Sequence, residues 1–263
     1  MNKYSPIGVF DSGVGGSSIW KEIHQLLPNE NTIYLADSKN APYGNKTQQH
    51  ITELSLKNTQ ELINRGCKIV VVACNTATTN AISVLREKFS IPIIGIEPAI
   101  KPAALQTKHK SIGILATKGT LSSDLFHKTA GAFAKDISVI EIVGEGLVPL
   151  IENGELDSQE MTSLLKKYTA PMIAENIDYL VLGCSHYPYL IPRLKKILPQ
   201  HVTIIDSGQA VARQTKNILQ QENVLNDSKK TPKLQFFTNT SVNTLQYLLQ
   251  SYSEKTTIQT LDF

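Results

Sequence analysis

Two stretches with the same layout decide the fold: KIVVVACNTATTNAISVL, from Lys68 to Leu85, and DYLVLGCSHYPYLIPRLKKIL, from Asp178 to Leu198. Each opens with a continuous apolar run, places a cysteine directly after it (Cys74 or Cys184), and continues with apolar residues at helical spacing. A strand written as a continuous apolar run is buried on both faces, as in parallel sheets covered by helices. The two stretches therefore predict strand, cysteine and helix in succession, twice, within an α/β protein.

The likeness between the two halves extends beyond the cysteines. IGVFDSG (Ile7 to Gly13) has a counterpart in IGILATKGT (Ile112 to Thr120), and IPIIGI (Ile91 to Ile96) has one in VTIIDS (Val202 to Ser207), at offsets of about 105 to 110 residues. A nearly constant offset of this size indicates a duplicated domain and not the short period of a solenoid. We predict two similar lobes with mainly parallel sheets flanked by helices, related by a pseudo-two-fold axis, with the active site in the cleft between them.

The C-terminal segment has no counterpart in the duplication. It contains a strand-like run, Leu234 to Phe237, between two helical patterns, and we assign it to the first lobe. The predicted domains are residues 1–98 plus 208–263 for the first α/β lobe and residues 99–207 for the second.

Composition excludes several classes of protein. The chain has 263 residues, 41% of them hydrophobic, and its net charge is only +3, so we expect no nucleic-acid partner. The N-terminal MNKYSPIGVF lacks the apolar stretch of a signal peptide, and no apolar run is long enough to cross a membrane. Three cysteines without Cys-x-x-Cys spacing fit neither a disulfide framework nor a structural zinc site. We expect a cytoplasmic protein with reduced thiols, no metal and no membrane association.

Polar side chains follow the predicted strands in both halves. In parallel α/β sheets, ligands bind beyond the carboxyl ends of the strands. The residues at these positions are Asp11, Ser12, Asp37, Cys74, Asn75, Thr117, Cys184 and Asp206. We expect the two strand-end faces to confront each other across one cleft.

The glycine-rich loop DSGVGG, from Asp11 to Gly16, admits two interpretations. It resembles a phosphate-binding loop, but it has neither the G-x-G-x-x-G spacing nor the Lys-Ser/Thr of a P-loop. The alternative, which we favour, is that the glycines allow a tight turn and close approach of the backbone, while Asp11 and Ser12 project into the cleft.

The two matched cysteines indicate proton transfer. A single cysteine beside a buried strand is usually a small core residue, as we expect for Cys67. Cys74 and Cys184, in contrast, both precede a helix start, where main-chain N–H groups favour a thiolate. Two thiols facing one α-carbon could remove a proton on one side and return one on the other. His186, two residues after Cys184, would then give acid–base support, although a core or metal-binding histidine is the alternative.

Such chemistry needs hydrogen-bond donors for the developing enolate-like charge, because the sequence points to no pyridoxal electron sink. The candidate donors share a hydroxyl or amide group near the two thiols, and they are Ser12, Asn75, Thr76 and Ser185.

Five motifs together resemble the glutamate racemases, cofactor-independent enzymes of the aspartate/glutamate racemase superfamily. They are DSGVGG (Asp11 to Gly16), ADSKNAPYGNK (Ala36 to Lys46), VACNTAT (Val72 to Thr78), GCSHYP (Gly183 to Pro188) and IDSG (Ile205 to Gly208). The resemblance implies interconversion of L-glutamate and D-glutamate without a cofactor, for peptidoglycan synthesis, in the bacterial cytoplasm and commonly as a homodimer.

The resemblance also implies roles for individual residues. Cys74 would act on the D-enantiomer, assisted by Asp11, and Cys184 on the L-enantiomer, assisted by His186 and Glu152. The implied substrate contacts are Asp11, Ser12, Tyr43, Gly44, Asn75, Thr76, Ser185 and His186. One departure from the family pattern is Ser185, which stands where the family usually has threonine. It keeps the hydroxyl but lacks the methyl group that restricts its rotamers.

Three other functions share some of these features. A related aspartate or hydantoin racemase, or a maleate isomerase, would have the same fold and both thiols. A thiol hydrolase or amidotransferase would need only one activated cysteine. A periplasmic-type two-lobed binding protein would hold a ligand between similar halves without any thiol. Single replacement of each cysteine separates these possibilities, since only a racemase or isomerase depends on both.

Overall fold

The computed structural model describes residues 2–134 and 136–263. Its strands are β1 (Ile7–Asp11), β2 (Thr32–Ala36), β3 (Ile69–Val72), β4 (Ile93–Gly95), β5 (Ser111–Ala116), β6 (Ser138–Val143), β7 (Tyr179–Gly183), β8 (Thr203–Ile205), β9 (Leu234–Thr238) and β10 (Thr256–Thr260). They form two sheets, with strand orders β10-β9-β2-β1-β3-β4 and β6-β5-β7-β8, and every pairing between neighbours is parallel. The predicted α/β class with parallel sheets is confirmed.

Helices cover the sheets. They are α1 (Ser17–Leu26), α2 (Gln48–Asn64), α3 (Asn75–Lys88), α4 (Ile100–Gln106), α5 (Lys118–Leu121), α6 (Asp124–Phe133), α7 (Leu147–Glu152), α8 (Gln159–Ala174), α9 (Ile191–Ile197), α10 (Gly208–Gln221) and α11 (Asn243–Leu248). Short 3₁₀ turns lie at Ser38–Asn40, Tyr43–Asn45, Tyr187–Leu190 and Gln250–Tyr252. None of these helices, within the described part of the chain, is long and apolar enough to cross a membrane.

The two sheets repeat one topology. The order β2-β1-β3-β4 in the first sheet corresponds to β6-β5-β7-β8 in the second, strand for strand along the chain. The central strands β1 and β3 are buried along their whole length, as continuous apolar runs require. Because both sheets are parallel and have equivalent order, the cysteine that follows β3 and the one that follows β7 occupy equivalent strand ends.

The C-terminal segment extends the first sheet. β9 pairs with β2, and β10 pairs with β9, so the chain returns to the lobe in which it began. The strand-like run expected at Leu234 to Phe237 lies within β9. β10 is an edge strand of threonine and glutamine around one isoleucine, Ile258, and its sequence pattern did not predict a strand.

A hydrophobic cluster runs from one lobe into the other. Val14 and Ile19, which follow β1, share it with Leu147, Val148 and Tyr187 of the second lobe. Two further clusters lie within the individual lobes, one around Phe10 and Val72 and the other around Ile112 and Val181. The apolar contact between the lobes brings their strand ends together and so forms the candidate site.

Candidate active site

Cys74 and Cys184 line the same pocket between the lobes. Cys74 caps the N-terminus of α3, and Cys184 directly follows β7. The lining residues of this pocket are Ser12, Pro42, Tyr43, Gly44, Cys74, Asn75, Thr76, Thr117, Val148, Cys184, Ser185 and His186. The cavity is small, about 10 Å³, which is close to the minimum for one water molecule. The two thiols therefore share one small cavity.

The Cys74 thiol lies among weak hydrogen-bond partners. Its Sγ is 3.5 Å from the Ser12 hydroxyl, and the main-chain N–H of Ala77 donates to the sulfur at 3.4 Å. Burial raises the pKa of Cys74, and the charge of the nearby Asp11 carboxylate raises it further, against the smaller effect of the two hydrogen bonds. These surroundings favour a protonated Cys74 thiol.

The Cys184 thiol lies beside a histidine and a carboxylate. Its Sγ is 3.7 Å from Nδ1 of His186, and Nε2 of that ring is 2.5 Å from Oε1 of Glu152. Burial alone would lower the pKa of His186, but its hydrogen bonds to Cys184 and Glu152 and the nearby charges outweigh burial and raise the pKa well above the ordinary histidine value. Thiol, imidazole and carboxylate thus form a continuous chain that can accept a proton from sulfur.

Glu152, at the end of α7, reaches across the cleft. Its Oε1 accepts a hydrogen bond of 2.7 Å from the main-chain N–H of Val14, and its Oε2 accepts one of 2.8 Å from the Ser38 hydroxyl. The Thr244 hydroxyl donates to its carbonyl oxygen at 2.8 Å. All three donors belong to the chain segments around the first sheet, so Glu152 connects the lobes as well as orienting His186.

The Asp11 carboxylate is buried and accepts hydrogen bonds from three donors. The N–H groups of Gly13 and Gly16 donate to Oδ2 at 3.1 and 3.0 Å, and the Ser185 hydroxyl donates to Oδ1 at 2.9 Å. Burial raises the pKa of Asp11, partly opposed by the charge of His186 and by these hydrogen bonds. Among the hydrogen bonds of the described residues, none joins Asp11 to Cys74. Its influence on that thiol is therefore through charge.

The glycine-rich loop makes room for the second lobe. A methyl group on Gly13 would overlap the Glu152 carboxylate, and one on Gly15 would overlap the His186 ring. Neither glycine has the positive φ that only glycine adopts easily. The close approach expected from the DSGVGG sequence is thus confirmed, and its purpose is to admit the side chains that support Cys184.

Side chains that can form hydrogen bonds line the rest of the pocket. Asn75 is buried, and within residues 2–134 and 136–263 neither its amide oxygen nor its amide nitrogen has a hydrogen-bond partner. The Thr76 hydroxyl is 2.8 Å from that of Thr117 in the opposite lobe. Since buried polar groups are normally satisfied, the free amide of Asn75 indicates a place for a polar ligand.

The pocket differs from the sequence-based set in a few residues. The substrate contacts expected from the sequence are among the lining residues, apart from Asp11, which lies behind Ser185. Pro42, Thr117 and Val148 also line it. Thr117 was recognisable as a strand-end residue and Pro42 lies in the ADSKNAPYGNK motif, whereas nothing in the sequence marked Val148. Asp206 follows β8 at the edge of the second sheet and lines a separate groove beside α10.

Within residues 2–134 and 136–263, no group of three or more His, Cys, Asp or Glu side chains is arranged so that it could hold a metal ion. Cys67, Cys74 and Cys184 are all free and buried. Burial raises the pKa of the Cys67 thiol to about 12, as suits the core role expected for it.

Comparison with known proteins gives one consistent result. Residues 7–215 match the family model described as Asp/Glu/Hydantoin racemase. The glutamate racemase of Ectopseudomonas mendocina is 48% identical over 222 residues, which is 84% of each chain. That of Herpetosiphon aurantiacus is 42% identical over 236 residues, covering 90% of this chain and 93% of the relative.

Solved structures agree over nearly the whole chain. Glutamate racemase isoform RacE1 of Bacillus anthracis superposes with a TM-score of 0.87 at 34% identity, covering 100% of this chain and 99% of the other. The Escherichia coli glutamate racemase, solved with L-glutamate and the activator UDP-MurNAc-ala, gives 0.86 at 34% identity, with 98% of each chain covered. The similarity therefore includes the C-terminal strands β9 and β10 as well as the duplicated core.

Proposed function

The chain belongs to the Asp/Glu/hydantoin racemase family, and on that premise we propose that it interconverts L-glutamate and D-glutamate by proton transfer between Cys74 and Cys184. The observation that carries the mechanism is that thiols from opposite lobes line one pocket. The glutamate racemases among its relatives, including one solved with L-glutamate, support the choice of substrate.

The conversion of L-glutamate begins at Cys184. His186 takes the proton of the Cys184 thiol, and Glu152 balances the charge of the resulting imidazolium. The thiolate removes the α-proton on its side of the substrate. Cys74, held as a thiol by its surroundings, then donates a proton to the opposite face and gives D-glutamate. In the reverse direction Cys74 removes the proton, Cys184 returns one, and Asp11 assists on the Cys74 side.

The intermediate carries negative charge on the α-carbon and its carboxylate. Hydrogen-bond donors fixed around that carboxylate stabilise the charge at little reorganisation cost in an enclosed site. The unpartnered amide of Asn75 is the clearest donor, and the hydroxyl groups of Ser12, Thr76 and Ser185 supply others. Tyr43 and Gly44 complete the substrate contacts, and the scheme requires neither a cofactor nor a metal.

Substrate entry requires the lobes to separate. A cavity of about 10 Å³ holds a water molecule but not glutamate. Opening followed by closure would admit the substrate and then exclude water while the α-carbon carries charge. The contacts between Glu152 and the first lobe would break and re-form in each cycle.

The decisive experiment is incubation of L-glutamate with the enzyme in deuterated water, with no added cofactor, followed by chiral separation and mass spectrometry. The expected product is D-glutamate that carries deuterium at the α-carbon, because the incoming proton is delivered by a solvent-exchanged thiol. Unlabelled D-glutamate, or activity only after pyridoxal phosphate is added, would rule out this mechanism.

A related racemase that acts on aspartate or hydantoins, or a maleate isomerase, is not favoured, because curated relatives that are 46%, 47% and 48% identical to this chain are named glutamate racemases. Comparison of turnover on glutamate, aspartate, a hydantoin and maleate tests this point directly. A thiol hydrolase would lose activity on replacement of only one of the two cysteines, and a two-lobed binding protein would keep its ligand binding after either replacement.

Family membership supports three further proposals. The product D-glutamate supplies peptidoglycan synthesis, the enzyme works in the cytoplasm where that precursor is made, and two copies form a homodimer. Depletion of the protein in its host, with rescue by external D-glutamate, tests the first two. Sedimentation analysis of the purified protein tests the third.

A further inference from the structure

A buried carboxylate beside the active site takes no part in the scheme above. Asp37 follows β2, is only 1% exposed, and does not line the pocket. Its carboxylate accepts hydrogen bonds from four side chains: the Tyr43 hydroxyl at 2.5 Å, Asn239 at 2.6 Å, Asn40 at 2.8 Å and Asn58 at 3.4 Å. A buried charge that collects so many donors is strongly held and in turn fixes the groups that donate to it.

The most direct of these donors belongs to the pocket wall. Tyr43 and Gly44, in the 3₁₀ turn Tyr43–Asn45, both line the pocket. The Tyr43 hydroxyl is also 3.1 Å from the Asn58 amide nitrogen. Burial and the Asp37 charge both raise the pKa of Tyr43 well above that of free tyrosine, so the hydroxyl remains a donor. With its hydroxyl engaged, Tyr43 can meet the substrate only through its ring and main chain.

The other end of the network lies in the C-terminal segment. Asn239 follows β9; its amide nitrogen donates to Asp37, while its amide oxygen accepts the main-chain N–H of Lys39 at 2.8 Å. This one side chain therefore joins the segment after β9 to the loop after β2. The link runs from the C-terminal segment through Asp37 to Tyr43 and the pocket.

We propose that Asp37 is a positioning residue, which holds the Tyr43–Asn45 turn against the substrate and uses Asn239 to anchor that turn to the C-terminal segment. The inference rests on the proposed function, since it concerns the same glutamate pocket. Because Tyr43 and Gly44 bring no acid or base to the α-carbon, the turn contributes binding that is equal in substrate and transition state. Loss of such binding raises KM and leaves kcat nearly unchanged.

The test compares Asp37→Asn with the double variant Asp37→Asn/Asn239→Asp. The single change places an amide nitrogen against amide donors, and we expect KM for both enantiomers to rise about tenfold, as loss of one hydrogen bond to a charged group implies. Asn239→Asp alone sets two carboxylates side by side and should also raise KM. The double variant restores a donor–acceptor pair and keeps the Lys39 contact, so KM should return to within about threefold of wild type.

Two controls separate positioning from folding. Asn64→Asp, at the exposed last residue of α2, makes the same chemical change as Asn239→Asp outside the network and should leave KM unchanged. If Asp37→Asn does not fold, Tyr43→Phe keeps the ring, removes the hydroxyl with its hydrogen bonds to Asp37 and Asn58, and should raise KM to a similar extent. A purely structural role would lower the amount of active enzyme, and hence the apparent kcat and the melting temperature, without moving KM.

The proposal is overturned if Asp37→Asn leaves KM unchanged in a folded enzyme, or if the double variant is no better than the single one. Failure of the proposed function gives a different result, because the wild type itself would then not racemise glutamate. In that case the dissociation constant of D-glutamate, measured by calorimetry for the same variants, provides the comparison in place of KM.

Discussion

The two lobes place their cysteines at equivalent strand ends but surround them differently. Cys74 has a hydroxyl and one main-chain N–H within reach, with the charge of Asp11 nearby. Cys184 has an imidazole that is itself supported by a carboxylate. The repeated topology thus explains why two thiols face one pocket, whereas the side chains around each thiol differ between the lobes.

The different surroundings of the two thiols cannot change the ratio of kcat/KM between the two directions. Enantiomers have equal free energies in water, so kcat/KM must be the same in both directions for the wild type and for every variant. Unequal support of the two thiols can therefore appear only in kcat and KM taken separately, or in exchange of the α-proton without racemisation. The following variants examine the comparison in order of decreasing effect.

Replacement of either cysteine should have the largest effect. Cys74→Ala and Cys184→Ala should each lower racemisation by about 10⁴-fold or more, since each removes a proton carrier. In deuterated water Cys184→Ala should still exchange the α-proton of D-glutamate through Cys74, and Cys74→Ala that of L-glutamate through Cys184. Mass spectrometry of each enantiomer measures this. Exchange in the opposite enantiomers would reverse the assignment of the two faces, and loss of turnover with only one variant would indicate a thiol hydrolase.

His186→Asn should come next. Without the imidazole, the Cys184 thiol has no partner to accept its proton, and kcat/KM should fall by about 10²-fold in both directions. Exchange of the D-glutamate α-proton through Cys74 should remain near the wild-type rate, because that half of the site is intact. If the exchange rates of the D-glutamate and L-glutamate α-protons fall equally, His186 supports both thiols, and the proposed difference between the two halves of the site is wrong.

Gly15→Ala tests the same support without removing a functional group. The added methyl group would overlap the His186 ring and displace it, and a displacement of about 1 Å can cost up to roughly 10²-fold in rate. Gly131→Ala is the matched control, since that position is open. Steady-state kinetics and melting temperature of the two variants decide the matter. Equal activities would mean that the loop yields and that its glycines are not required for catalysis.

Glu152→Gln should give a smaller effect with a distinct pH dependence. The Glu152 carboxylate favours the protonated form of His186, so its removal lowers the pKa of that histidine. The limb of the kcat/KM profile that requires protonated His186 should move to lower pH, and activity at pH values above that limb should fall about tenfold for each unit by which the pKa falls. Glu155→Gln, at an exposed neighbouring position, is the control and should leave the profile unchanged. An unshifted pH profile for Glu152→Gln would show that Glu152 does not set the protonation of His186 during catalysis.

Ser185→Thr should have the smallest effect. Threonine keeps the hydroxyl that donates to Asp11 and adds a methyl group that restricts its rotamer. We expect a change of at most about 0.6 kcal/mol in binding, or roughly threefold in KM. A larger loss, measured for either enantiomer, would show that the pocket has no room for the residue usual in the family.

Much of the fold and the main elements of the site could be predicted from local sequence. The continuous apolar runs of β3 and β7 indicated buried parallel strands. The two cysteines are separated by nearly the same number of residues as the other matching segments, and this indicated duplication. β10 was not predicted, because an edge strand of threonines and one glutamine around a single isoleucine carries little apolar signal. Its place is decided by pairing with β9.

The contacts of Glu152 and Asp37 could not be predicted from the local sequence. Nothing near Glu152 in the chain indicates that its carboxylate contacts both His186 and Val14, and only the resemblance to a family selected it. The contact of Asp37 with Asn239 joins residues about 200 positions apart. Such contacts depend on how the lobes and the C-terminal segment pack, which no periodicity encodes.

By itself, the sequence determined the class of the fold, the duplication and the identity of the two thiols, because each depends on residue type and on spacing within short segments. Only the tertiary structure decided that both thiols open into one cavity, that the second has an imidazole and a carboxylate in line, and that the glycines after β1 admit those groups. The physical reason is that strand ends are fixed by local pattern, whereas the environment of a buried thiol is set by side chains that arrive from distant segments.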